Sequence, residues 1–271
     1  MQHPLAAKPM MKTLCRSICS LLLGCFAAMS SIPSNADEAI ELYWCLDDFP
    51  NRHHYPADGE PYGPTVDFMQ EVARRAGVRL RFSQNTPFAR CLRMMEQGKV
   101  DVMTSLNTSP ERAEFMHLIP YDQARPEVVL LRQDSPDIWS VAELSHLSLM
   151  VIRGYTYNAD ILNIISRHQQ TIEVDSLESG LNMLLLKRAD ALLAPVQSSR
   201  NLMQTNPRYH GQFKTASLAI QLAEPRYVHI GLSKASPNAR LETQLRLAVE
   251  SMIADDLVHR YFHALPEVPA Q

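Results

Sequence analysis

The chain has 271 residues, 46% hydrophobic and 20% charged, which suits one large or two small globular domains and excludes general disorder. A formal net charge of -3 and a pI near 6.4 argue against a nucleic-acid-binding protein, which would present a basic face. They leave room for a local basic pocket.

Residues 1–36 read as a signal peptide and stand apart from the fold. Lys8, Lys12 and Arg16 form a basic start, Ile18 to Met29 is a short apolar run, and Ser34-Asn35-Ala36 places small residues where a signal peptidase cuts. Met11 is an alternative start. Leu22-Leu23-Gly24-Cys25 also resembles a lipobox, so lipidation at Cys25 is the alternative to cleavage after Ala36. Either route exports the protein, and a periplasmic location is expected. Losing the leader makes the mature chain three charges more negative. Of five Cys, only Cys45 and Cys91 remain, and an oxidising compartment favours one disulfide between them over two buried thiols.

Ile40 to Cys45 is a buried strand. A polar, Pro-containing loop follows from Leu46 to Tyr62. Thr65 to Ala76 carries apolar residues at helical spacing and stops at Gly77; Val78 to Ser83 alternates as a strand; Pro87 to Gln97 is a second helix; Val100 to Ser105 is a third strand. This β-α-β-α-β order predicts a parallel sheet with crossover helices. It recurs with strand Leu147 to Ile152, helix Thr156 to His168, strand Thr171 to Val174, helix Leu177 to Lys187 and strand Ala189 to Ala194. The joints match, Gly98-Lys99-Val100-Asp101 against Lys187-Arg188-Ala189-Asp190. The pattern predicts an α/β protein of two similar lobes. Lobe 1 is discontinuous, 37–126 and 234–271; lobe 2 is 134–224; strands 127–133 and 225–233 form a two-strand hinge; and a helical stretch from Pro237 to Phe262 returns to lobe 1.

In such sheets ligands bind beyond the carboxyl ends of the strands. The third strand runs into Thr104, Ser105, Asn107 and Thr108, then into the helix start Ser109-Pro110-Glu111. Arg112 in that first turn is a cation at the positive end of a helix, an arrangement relieved by an anion bound there; the bland alternative is a surface pair with Glu111 or Glu114. Facing it from the second lobe would be Arg153 to Thr156.

The leader, Gly63-Pro64-Thr65-Val66-Asp67-Phe68, Gly98 to Asp101, Thr108 to Arg112, Val151-Ile152-Arg153-Gly154-Tyr155-Thr156 and Lys187 to Ala191 succeed one another in the order found in a known family. From about residue 40 to 262 the chain resembles a type II periplasmic solute-binding protein of family 3, the polar amino-acid branch. The resemblance implies a two-lobed periplasmic-binding-protein-like fold that closes on a small anionic or amino-acid-like ligand. Arg112 would clamp the ligand carboxylate, with Thr104, Ser105 and Asn107 beside it and Thr156 and Tyr155 opposite. An aromatic of the first loop would cover the ligand, with Phe49, Tyr55, Tyr43 and Trp44 as candidates. It also implies a membrane permease or a sensor protein as partner, a monomer, no cofactor and no enzymatic activity.

One departure concerns the ligand. Where amino-acid binders place an ammonium-binding Asp after a run such as Ala189 to Ala194, this chain has Pro195. A buried ammonium left unpaired costs several kcal/mol, so Asp47, Asp48 or Asp175 would have to replace that group. Arg153 is a candidate second cation. Together these suggest a ligand more anionic than a neutral amino acid. Two rivals remain: an enzyme on the same fold, similar to a cyclohexadienyl dehydratase and using Glu173 or Asp175, and metal capture by His53-His54 with Asp47, Asp48 and Glu60. The chain has no nucleophile motif and no phosphate loop.

Overall fold

The computed structural model describes residues 40–157, 159–167, 171–220 and 226–263. The expected signal peptide, with Cys25 and the expected cleavage point after Ala36, part of the second expected hinge stretch and the tail from 264 lie outside the described residues.

Lobe 1 is built on a five-stranded sheet. Its first three strands are β1 (Glu41–Trp44), β2 (Arg79–Phe82) and β3 (Val102–Asn107), with helices α1 (Pro64–Arg75) and α2 (Phe88–Glu96) between them. A short helix α3 (Pro110–Phe115) leads into β4 (Met116–Gln123). Lobe 2 repeats the plan with β5 (Glu127–Arg132), β6 (Leu149–Ile152), α4 (Ala159–Arg167), β7 (Thr171–Val174), α5 (Leu177–Leu185), β8 (Ala191–Pro195), α6 (Val196–Thr205) and β9 (Phe213–Thr215). The chain then returns through β10 (Tyr227–Ser233) to α7 (Glu242–Ala254) and α8 (Leu257–Phe262).

The sheet orders are β2-β1-β3-β10-β4 and β7-β6-β8-β5-β9. In each, three parallel strands are followed by an antiparallel strand that has crossed from the other lobe, β10 in the first sheet and β5 in the second. Both expected hinge stretches are strands, as the sequence suggests, and each is paired within a sheet. β5 and β10 lie inside the sheets, because their runs of buried residues need cover on both faces. The crossings fall at Ala124–Pro126 and just before Tyr227, where Ala124 N–H donates to the Arg226 carbonyl at 2.8 Å. Beside it the largely buried pair Arg226–Glu127 closes at 2.7 Å.

Each sheet is covered on both faces. Phe68, Met69, Val72, Leu245, Val249 and Met252 from α1 and α7 fill one side of the lobe 1 sheet; Phe88, Cys91 and Met95 from α2 fill the other. The repeated joint now has a structural reason. Asp101 accepts from the N–H of Tyr43 on β1 at 2.6 Å, and Asp190 accepts from the N–H of Ser148, next to β6, at 3.0 Å. In each lobe the third strand is thereby tied to the first. Cys45, at the end of β1, is bonded to Cys91 of α2, with the Cα atoms 5.6 Å apart.

Candidate functional site

The carboxyl ends of β3 and β6 meet at a cavity of about 110 Å³ lined by Phe49, Thr104, Ser105, Asn107, Arg112, Tyr155 and Thr156. Asp47, Arg52, His53, Arg125, Glu127 and Pro195 to Ser198 complete much of its wall.

Arg112 is placed by its own helix. Ser109 caps α3 by accepting from the Arg112 N–H at 3.3 Å, which turns the side chain back toward β3. The residue is only 4% exposed. One guanidinium nitrogen donates to the Asn107 carbonyl, and Nη2 donates to the Gly154 carbonyl of lobe 2 at 2.7 Å. The side chain makes no ion pair with a carboxylate among the described residues, so neither Glu111 nor Glu114 neutralises it. Burial lowers its pKa to about 10, against an opposing pull from Tyr155 and Glu111. Phe88 lies under the guanidinium at 5.6 Å.

Ser105 is at a β-bulge. Across β3, His229 faces Leu106 and Gly231 faces Met103, so Thr104 and Ser105 together oppose one residue of β10. Ser105 takes up the irregularity with φ of +59°, a conformation that non-glycine residues rarely adopt. The extra residue re-aims Thr104 and Ser105, which both line the cavity. On the opposite side, Gly154 has φ of +81°, and a Cβ there would lie 3.1 Å from Leu92 of α2. Glycine gives this turn of lobe 2 its positive φ at no cost, and any side chain there would need Leu92 to give way by a few tenths of an ångström. Tyr155 comes next in the chain and contacts Phe88 at 4.9 Å and Phe49 at 6.4 Å between ring centres. Asn107 Nδ2 donates to the Thr156 carbonyl at 3.3 Å.

Two expected residues are not brought to the cavity. Arg153 is held on the surface of lobe 2 by Glu173 at 3.0 Å and Asp175 at 2.5 Å, because β6 and β7 pair in parallel and bring those acids alongside. The same pairs occupy the two acids that an enzyme reading would use. Tyr55 turns away and donates its hydroxyl to the Ser83 carbonyl. Trp44 is fully buried in the core, and Tyr43 lies under the Arg81 guanidinium at 3.7 Å. Of the three acids considered as substitutes at Pro195, Asp47 reaches the cavity, Asp48 accepts from the Tyr55 N–H, and Asp175 is paired with Arg153. His53 faces inward toward Asp47 at 3.8 Å and His54 faces Asp48 at 3.6 Å, so the adjacent histidines diverge. No group of three His, Cys, Asp or Glu suited to a metal ion occurs among the described residues.

Sequence reasoning passed over Arg52, Arg125 and Glu127; the strand end running into α6, Ala194 to Gln197, was legible as part of the lobe 2 rim. Glu127 stands directly opposite Pro195 in the β5–β8 register. α6 begins at Val196 without a side-chain cap.

Residues 44–263 match the family model described as bacterial extracellular solute-binding proteins, family 3. The chain belongs to this family. No curated protein sequence matches it significantly. Among solved structures, this family 3 protein is similar to an ancestral arginine-binding protein bound to arginine, with a TM-score of 0.70, 18% identity, and coverage of 84% of this chain and 100% of that one. It is similar to an arginine 3rd transport system periplasmic binding protein from Legionella pneumophila, with a TM-score of 0.70, 20% identity, and coverage of 83% and 98%. A histidine kinase sensor domain with similarity to periplasmic binding proteins gives a TM-score of 0.71, 14% identity, and coverage of 83% and 95%. At these identities the likeness is one of fold.

Proposed function

We propose that this family 3 solute-binding protein is exported to the periplasm by its leader. There, as a monomer, it captures a small carboxylate-bearing solute, amino-acid-like or an organic acid, between its lobes. The observation that carries this is Arg112, a buried cation without an ion-pair partner among the described residues, at the wall of a cavity shared by both lobes. Burying a lone charge costs several kcal/mol, and a carboxylate accepting two parallel N–H bonds offsets that cost. Ser105, Asn107 and Thr156 add polar groups around the same point. The loaded form would be handed to an ABC-type importer or read by a membrane sensor; both uses rest on closure of the lobes about the crossings at Ala124 and Arg226.

The test is a thermal-shift screen over amino acids, organic acids and small peptides. A true ligand present at about a hundred times its Kd stabilises the protein by about 2.7 kcal/mol. Arg112→Ala is expected to abolish the shift. Unchanged affinity in that variant would exclude Arg112 as the clamp.

A further inference from the structure

Where an ammonium-binding acid would stand in an amino-acid site, this chain has Pro195, which leads directly into the uncapped N-terminus of α6. The first turn of that helix, Val196 to Ser198, lines the cavity. The free N–H groups and the helix dipole make that end partially positive. Two arginines besides Arg112 line the same cavity. Arg52 Nη1 is buried without a hydrogen-bond partner, while its Nη2 lies 3.7 Å from Asp122. Arg125, exposed at the rim, donates to the imidazole Nδ1 of His263 at 3.0 Å and makes no ion pair with an acid among the described residues. Each acid at this end has a cationic partner, although Glu127 Oε2 and Asp122 Oδ2 are buried without a hydrogen bond. Glu127 is met by Arg226 at 2.7 Å, and Asp122 by His263 at 2.8 Å as well as by Arg52.

Arg52 is held in place rather than free. Its carbonyl accepts from the Thr65 N–H at 2.9 Å, and its guanidinium lies 4.7 Å over the Phe262 ring. Gly63, with φ of +122°, lets the loop lie there: a Cβ would come within 3.0 Å of the Arg52 carbonyl. The neighbouring His53 is 2% exposed, with neither ring nitrogen hydrogen-bonded.

We infer that the cleft has a second anion subsite, formed by Arg52, Arg125 and the N-terminus of α6, and that the solute is a small dicarboxylate. One carboxylate sits on Arg112 and the other at the hinge end of the cavity. This rests on the reading of Arg112 as the carboxylate clamp and adds to it the chemistry of the ligand's far end.

Calorimetric titration of the purified protein with α,ω-dicarboxylates from malonate to adipate, each against the monocarboxylate of equal length, tests it. At least one dicarboxylate is expected to bind tenfold or more tightly than its monocarboxylate partner. Arg52→Gln and Arg125→Gln are each expected to lower that ratio, and the double variant to bring it near one, with ligand-free melting curves confirming that the variants are folded. Equal binding of mono- and dicarboxylates, or a ratio that survives in the double variant, overturns the second subsite alone. If no acid of either series binds, the clamp assigned to Arg112 fails as well.

Discussion

Nη2 of Arg112, in lobe 1, donates to the carbonyl oxygen of Gly154, in lobe 2, at 2.7 Å. The residue that would hold the ligand also bonds the opposite lobe, so ligand capture and contact between the lobes would share one guanidinium. Asn107 repeats the relationship next to it through the Thr156 carbonyl. A ligand that fixes the Arg112 guanidinium therefore also fixes the donor on which this contact depends, a direct physical link between occupancy and closure.

Gly154 should be sensitive in a particular way. Alanine there must adopt φ of +81° and place a methyl 3.1 Å from Leu92 across the lobe boundary. The backbone part costs on the order of 1 kcal/mol whether the lobes touch or not. The methyl contact costs only when they touch. Gly154→Ala is expected to weaken ligand binding about tenfold while lowering the ligand-free melting temperature by only a few degrees. Calorimetry and small-angle scattering of the loaded protein check this; loaded dimensions and affinity equal to wild type would show that the turn does not limit closure.

Ser105 separates backbone strain from side-chain loss. At φ of +59° a β-branched side chain is strongly disfavoured, whereas Asn tolerates the left-handed region best among non-glycine residues. Ser105→Val is expected to cost about 2 kcal/mol of folding stability and Ser105→Asn less than about 1 kcal/mol. Urea melts of both measure the difference. Equal destabilisation would mean that the bulge relaxes when the residue changes.

What could be seen in the sequence, and what could not, divides along the range of the interactions. The strands and helices of both lobes arise from local periodicity, and the Ser109–Arg112 cap from four adjacent residues. The bulge at Ser105 arises from pairing with β10, more than a hundred residues away, and leaves no local trace. Arg153 could look like a cleft cation because the parallel pairing that sets Glu173 opposite Val151 is not visible along one chain. Arg52 sits in an irregular loop whose course depends on Gly63 and Phe262, so nothing in its immediate neighbours marked it. β4 was obscured by Pro120, which is tolerated because β4 is the edge of its sheet.

The disulfide is expected to matter for stability more than for binding. Cys45 and Cys91 are 46 residues apart, and closing a loop of that size in the unfolded chain corresponds to about 4 kcal/mol, toward the upper end of typical values. The bond also fixes the end of β1 to α2, beneath Phe88 and Tyr155. A Cys45→Ala/Cys91→Ala variant should melt about 10 °C lower than the oxidised protein and still bind. An identical melting temperature after reduction, with both thiols shown to be free, would count against that stabilisation.

The pH dependence of binding should carry the mark of Arg112. Burial lowers its pKa to about 10, so the charged form is disfavoured in the ligand-free fold, and that cost is full below about pH 10 and fades only as pH rises from there toward the ordinary arginine range. A bound carboxylate favours the charged form and raises the pKa, so binding above this value must take up a proton. Affinity is expected to be level from about pH 6 to 9, to fall as pH rises beyond about 10, and to fall on the acid side as the ligand's own carboxylate is protonated near pH 4. His229, buried behind β3 with its ring against the Leu106 carbonyl, has its pKa lowered by burial and adds no charge near neutral pH. Calorimetry across this range in buffers of different ionisation enthalpy measures both the affinity and the proton uptake. A drop in affinity centred near pH 7 would count against control of binding by Arg112.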